Sequence, residues 1–229
     1  MLKDYKTRVS ATYQMLVTSL SILNKNYKYL LETEKRANEY CSGKDFRKNK
    51  FPLDFEASMK DSIMIDFKGI DYTAEKSNLT GGTWFKYNGS EKDLQIPYFN
   101  KVEPVVSIQL PEAYIIPPEW LTVNERLRLH GIQMRTLKEA ANILVTTTRF
   151  RNAKWQEKPY EGRHNVKFDI EEKTEEQLFP AGSLIIDINQ NTARIIALLL
   201  EPSSDYSLVH WGFFDSVFEQ KEYSETYVM

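Results

Sequence analysis

From residue 3 to residue 42 the large apolar side chains recur at helical spacing. Tyr5, Val9, Tyr13, Leu16, Leu20, Leu23, Tyr27, Leu30, Ala37 and Cys41 mostly stand three, four or seven residues apart. That rhythm predicts one apolar stripe along an α-helix, with polar residues on the other face. No proline interrupts the stretch, and Gly43 supplies a stop. Asn24-Lys25-Asn26 is a place where the segment can break, so one long helix and a helix pair both satisfy the pattern.

Beyond the charged connector Lys44 to Lys50 the rhythm changes from helical to alternating. Ile63, Ile65 and Phe67 share one face of a predicted strand. Asn78-Leu-Thr-Gly-Gly and Asn88-Gly-Ser carry turn chemistry on either side of Thr83 to Tyr87, predicting a short strand between two turns. Both asparagines also fit the N-glycosylation acceptor pattern, although the turn reading suffices. Further strands are expected at Val105 to Leu110, closed by Pro111, and at Ala113 to Ile116, closed by Pro117-Pro118. Thr122, with Glu125 in the capping-box position, predicts the start of a short helix that runs to Leu129 and ends at Gly131. Ile132 to Leu137, Ile143 to Phe150 and Val166 to Ile170 again read as strands. Pro180-Ala-Gly turns the chain into a strand at Ser183 to Ile188. Thr192 then opens a helix from Ala193 to Leu200, and Ser207 to Glu219 forms a last amphipathic stretch, with Leu208, Trp211, Phe214 and Phe218 on one stripe and His210 at an amphipathic-helix position.

The expected fold is therefore α+β. A helical arm over 1–45 precedes a mostly antiparallel, sandwich-like β module over 46–229 that carries a few short helices. Short strands separated by Gly, Pro and Asn turns leave no room for repeated crossover helices.

Composition changes this picture little. The chain has 229 residues, 41% hydrophobic and 27% charged, the proportions of an ordinary globular protein. Its 13 Tyr, 12 Phe and 4 Trp can build a core. A net charge of −2 gives no argument for nucleic acid as a partner. The basic run Lys44, Arg47, Lys48 and Lys50 reads as a solvated loop, and the acidic run Asp169 to Glu176 as a solvent face. The single cysteine, Cys41, excludes an intramolecular disulfide. The longest apolar run, Ile195 to Leu200, is far too short for a transmembrane segment.

The chemistry-bearing residues are sparse. Zinc hydrolases need two or three closely placed His, Asp or Glu ligands and a base for the water. The only histidines are His130, His164 and His210, and Gln133, Lys167 and Phe213 follow them at the third position. Neither His-x-x-Glu nor His-Glu-x-x-His occurs. His130, before Gly131, reads as a helix-end residue suited to the C-terminal dipole. No Gly-x-Ser-x-Gly, phosphate loop or dinucleotide fingerprint is present either.

Three stretches nevertheless resemble the larger bacterial members of the zinc carboxypeptidase (carboxypeptidase A-like) family. Leu2-Lys-Asp-Tyr-Lys-Thr-Arg-Val-Ser-Ala-Thr-Tyr is similar to the segment after that family's catalytic glutamate, where the last catalytic-domain helix starts. Leu110-Pro-Glu-Ala-Tyr-Ile-Ile-Pro-Pro-Glu-Trp, followed by Leu129-His-Gly-Ile, resembles the accessory region beyond it. Phe179-Pro-Ala-Gly-Ser and then Leu198 to Asp215 resemble its closing part, and this last stretch is the most specific.

The resemblance implies a parent enzyme that removes C-terminal residues with one zinc and a general-base glutamate. It implies periplasmic or extracellular location, with any signal upstream of this chain. None of the catalytic or zinc-binding residues can be placed on these positions, so no cofactor is expected in this chain. Trp120, Asp205 and Trp211 remain as candidates for contact with a neighbouring domain or a ligand. The expected partners are the parent's catalytic domain and, through the N-terminal helix, a second copy of the chain. Two functions compete: a non-catalytic C-terminal module of a peptidase, or an independent β-rich module that binds glycan or peptide on Trp84, Trp120, Trp155 or Trp211.

Overall fold

A computed structural model of the chain describes residues 3–219. Tyr5–Ser42 is one unbroken α-helix, α1. Asp4 caps it, its carboxylate accepting from the Thr7 backbone N–H at 2.7 Å. Asn26, at the suspected break, donates instead to the Ile22 carbonyl at 2.8 Å and stays inside the helix. Gly43 follows with φ −83°, so the chain leaves the helix in extended rather than left-handed conformation.

Of all the α1 side chains only Cys41 is buried. The expected stripe lies open, with Leu16 58% and Leu20 65% exposed. The opposite face, around Thr7, Gln14, Thr18, Lys25, Glu32 and Arg36, is polar as expected, but a second apolar line stands about 120° round the helix from the stripe. Met15, Ile22 and Tyr29, seven residues apart, are large, apolar and exposed as well. Seven residues bring a helix almost back to the same angle, so these three make a second apolar line.

After a 3-10 turn at Lys44–Arg47 come the strands β1 (Phe51–Ala57), β2 (Ile63–Lys76), β3 (Thr83–Tyr98), β4 (Val102–Ile108) and β5 (Ala113–Ile116). Helix α2 (Leu121–Leu129) leads to β6 (Arg135–Thr136), β7 (Ala141–Trp155), β8 (Val166–Phe179) and β9 (Leu184–Asp187), and α3 (Ala193–Leu200) is the last α-helix among the described residues. The pairs β2–β3, β5–β9, β6–β9 and β7–β8 are all antiparallel, as an α+β chain of this texture should be.

The chain divides into two compact units. The smaller is Asp54–Ser107 and the larger is everything on either side of it. In the smaller unit β2 and β3 form a long hairpin, and Asn88-Gly89-Ser90 is no turn. Two extra β3 residues bulge where Ile70 opposes Glu91 but Tyr72 opposes Tyr87. Gly89 takes φ +80° there. Asp71 fastens the bulge by accepting from Asn88 Nδ2 and Lys92 Nζ, both at 3.1 Å. Those two donors, Lys92 first, hold the Asp71 carboxyl below its ordinary range. Strand β1 pairs with β4.

The core of the larger unit forms around β9. Leu184, Ile185 and Ile186 are all buried, so both faces of the strand are covered and both carry apolar residues, as alternating side chains require, while β5 and β6 pair along its two edges. Ala193, Ile196 and Ala197 of α3 are buried as well. Gln190 fastens the β9–α3 turn. Its amide accepts from Gln133 N at 2.9 Å and Thr192 Oγ1 at 2.7 Å, and donates to Gln133 O at 3.1 Å and Asp187 O at 2.7 Å. A buried amide satisfied on both sides is inexpensive.

Two expectations fail here. The final amphipathic stretch is not an α-helix but a succession of turns with a 3-10 turn at Asp215–Phe218. The serines compete for the backbone: Ser204 Oγ accepts from Tyr206 N and Ser207 Oγ from His210 N, both at 3.1 Å. Thr122 does not cap α2 either. The helix begins at Leu121 with Trp120 at the cap and no side-chain hydrogen bond, because the Pro117–Trp120 turn already delivers the chain in register.

Candidate functional site

Three pieces of the larger unit meet around the closing segment Asp205 to Phe218. The first is α2, on which Thr122, Glu125 and Arg126 share one face at three- and four-residue spacing. Its other end is fixed by a Schellman motif: Ile132 N donates to Leu127 O at 3.2 Å and Gly131 N to Arg128 O at 2.9 Å, with Gly131 at φ +71°. His130 is the C-cap residue of α2, as expected.

The second piece is the connection between β7 and β8. Glu161 and Gly162 take φ 49° and 76°, and Tyr160 and Arg163 exchange backbone hydrogen bonds at 2.8 and 2.9 Å. Two positive φ values in succession make the turn that lets antiparallel strands close tightly, and this turn presents Arg163. His164 Nδ1 lies 2.8 Å from Gln156 O, which fixes that ring to its own loop.

The third is the closing segment itself. Trp211 Nε1 donates to Asp205 O at 2.9 Å, so two of the candidate residues come together through indole and backbone. Gly212 takes φ +74°, and a Cβ there would stand 3.0 Å from Asp215 Oδ2. The left-handed φ is what favours glycine here, and Asp215 would have to shift aside for any side chain. Trp120, the third candidate, packs its ring 4.6 Å from that of Phe214, and the rings of Trp211 and Tyr160 lie 6.1 Å apart. Both tryptophans are half-buried, part of the packing more than open platforms. Trp84, 64% exposed, and Trp155, 43% exposed, lie outside this cluster.

Phe213 carries a guanidinium on its ring from each neighbouring piece. Arg163 Cζ stands 4.4 Å and Arg126 Cζ 5.6 Å from the ring centre. With Thr122, Glu125 and Gly212 these residues line a pocket of about 250 Å³. Sequence reasoning passed over both arginines, since they lie on unrelated elements and no motif spacing joins them. A wider groove of about 410 Å³ runs between Phe150 to Ala153 and Val217 to Glu219.

The larger unit also holds a half-buried acid pair. The Tyr114 hydroxyl donates to Glu201. Burial, and then the neighbouring Glu201 carboxylate, push the Tyr114 phenol far up. Burial also raises Glu201, outweighing the lowering by the Tyr114 hydrogen bond, and the like charge of Glu172 adds to the rise.

The zinc that the family resemblance implies finds no fit in these residues. Among the described residues no group of three or more His, Cys, Asp or Glu is placed to hold a metal ion. His130 sits at a helix end and His164 on a loop carbonyl. No metal-dependent step is assigned to this chain.

No protein-family model matches the chain, and no solved structure does. It is similar to carboxypeptidase 2 of Trichophyton tonsurans, with 27% identity over 161 residues that cover 69% of this chain and 29% of that protein. The match to carboxypeptidase 2 of Trichophyton rubrum has the same identity and the same coverage. A probable carboxypeptidase 2 of Arthroderma benhamiae is 26% identical over 150 residues, 64% of this chain and 27% of that protein. The chain thus spans less than a third of the length of these curated relatives. They are fungal and lend no support to a specifically bacterial origin. What they do support is the coarser part of the resemblance: the chain is similar to carboxypeptidases, over a portion of their length.

Proposed function

We propose that this chain is a non-catalytic C-terminal module of a carboxypeptidase-like protein, and that it packs on or extends a catalytic domain elsewhere in the parent polypeptide. The observation that carries this reading is the state of α1. Its stripe of Val9, Leu16, Leu20, Leu23 and Leu30 is exposed, and so is the second line of Met15, Ile22 and Tyr29. Each large aliphatic side chain left in water forgoes about 1.5–3 kcal/mol, so a helix of this kind is built to be covered. Two apolar lines about 120° apart suit a helix that touches more than one element of a larger core.

Removal of C-terminal residues, with one zinc and a general-base glutamate, belongs in this reading to the missing part of the parent. The parent is placed in the periplasm or outside the cell, as the resemblance implies. Pairing of α1 with a second copy is the competing use of the helix. Tyr13, Leu16, Leu20, Leu23, Tyr27 and Leu30 alternate three and four residues apart, the rhythm of a two-helix seam. That seam would leave Met15, Ile22 and Tyr29 in water, and we therefore favour the domain interface.

The test compares the full parent polypeptide with this chain for zinc content and release of C-terminal amino acids. The reading requires about one zinc and activity in the parent, neither in the chain alone, and slower amide exchange along α1 in the parent. A parent without a His-x-x-Glu and a later His, or with α1 equally unprotected, would discard it.

A further inference from the structure

The pocket between α2 and the Glu161-Gly162 turn holds two guanidinium groups on one aromatic ring, and among the described residues neither Arg126 nor Arg163 forms an ion pair with a carboxylate. They are held in other ways. Arg163 and Arg126 lie over Phe213, and Arg163 Nη1 makes one long hydrogen bond, 3.4 Å, to Trp211 O. A guanidinium resting on a ring keeps its N–H edge free, and each offers five donors. The positions are built rather than incidental: a turn with two positive-φ residues presents Arg163, a capped helix presents Arg126, and Gly212 allows Phe213 to reach both.

We infer that this pocket is a binding site for a carboxylate carried on an apolar stem. The two guanidiniums supply paired donors for the oxygens, the Thr122 hydroxyl offers a further one, and the Phe213 ring forms an apolar wall for the stem. Glu125 on the same lining disfavours anions of higher charge such as phosphate. A volume of about 250 Å³ admits one amino-acid residue rather than a large ligand. Two sources present this chemistry, the main-chain terminus of a peptide and an aspartate or glutamate side chain. The inference rests on the pocket alone and stands whether or not the chain belongs to a peptidase.

Calorimetric titration of the whole chain tests it, with N-acetyl-leucine as free acid, N-acetyl-leucine amide, N-acetyl-glutamate amide and inorganic phosphate. The free acid should bind at millimolar concentration and the leucine amide should not. Arg126→Gln and Arg163→Gln should each weaken binding by about ten-fold or more, the loss expected for a hydrogen bond to a charged group. Their thermal unfolding should match the unsubstituted chain, and Arg163→Lys should recover only part of the affinity. Tighter binding of N-acetyl-leucine identifies a peptide terminus, and tighter binding of N-acetyl-glutamate amide an acidic side chain. Equal binding of acid and amide, preference for phosphate, or no detectable binding at all overturns the proposal.

Discussion

Glu201 is the residue at which electrostatics and packing most directly oppose each other. Its folded pKa is raised, chiefly by burial, so the folded chain holds this proton more tightly than the unfolded one. Stability from this group is therefore greatest at low pH and falls as pH rises from the ordinary carboxylate range through the raised value. The difference in unfolding free energy between the unsubstituted chain and Glu201→Gln should shrink over that interval, and denaturant titrations at stepped pH measure it. Tyr114→Phe removes the hydrogen bond that favours the carboxylate, so it should cost about 1–3 kcal/mol and carry the fall to higher pH. A difference that does not change with pH would contradict the account. Glu175 moves the other way. Lys173 and Thr147 hydrogen-bond it and draw its pKa down to about 2, but it stands on the strand surface where water screens the effect. Nothing in the residue types separates these two glutamates. Their difference arises from the partners that β5 and α3 bring to one of them, and a linear reading does not contain those partners.

At the level of elements, what could be read was whatever local chemistry decides. The strand Ala113–Ile116 ends where Pro117-Pro118 requires it, and α2 ends at Gly131 because only a left-handed residue completes its motif. Local signals misled where tertiary pairing absorbed them. Asn88-Gly89-Ser90 has turn chemistry, yet β3 continues through it because Asp71 on the partner strand satisfies the bulge. The closing segment has helical spacing, yet Ser204 and Ser207 draw the backbone into turns. The pocket beside it was therefore only half legible: Trp211 and Asp205 were visible through the resemblance, whereas Arg126 and Arg163 meet only once α2 and the β7–β8 turn are in place. Helix α1 offers the clearest test at this scale. In the isolated chain, Leu16→Glu with Leu20→Glu should leave the thermal transition of the larger unit unchanged, since neither side chain is buried. Light scattering should then show the same mass for variant and parent sequence. A dimer that the double substitution splits into monomers would move the favoured partner of α1 to a second copy.

On the scale of the whole molecule, the division into two units was not foreseen by the reading of one β module over 46–229. Composition does not change at Asp54 or at Ser107, and strands on both sides share the same alternation, so no sequence signal separates them. The chain departs from the larger unit through β1 and returns through β4, and these two strands are hydrogen-bonded neighbours. Replacing residues 58–101 with a short Gly-containing turn should accordingly leave the larger unit with a cooperative unfolding transition. Loss of that transition would show that the two units fold only together.

The stem formed by β1 and β4 has a consequence for how such chains can diversify. Closing a loop becomes only slowly more expensive as the loop grows, about 0.6 kcal/mol for each doubling in length. A segment whose two ends are already zipped side by side can be lengthened, shortened or exchanged without altering the register of the remaining strands. The hairpin of β2 and β3 then acts as an interchangeable cassette. Length variation among related chains should concentrate between residues 58 and 101, leaving the frame around β9 untouched.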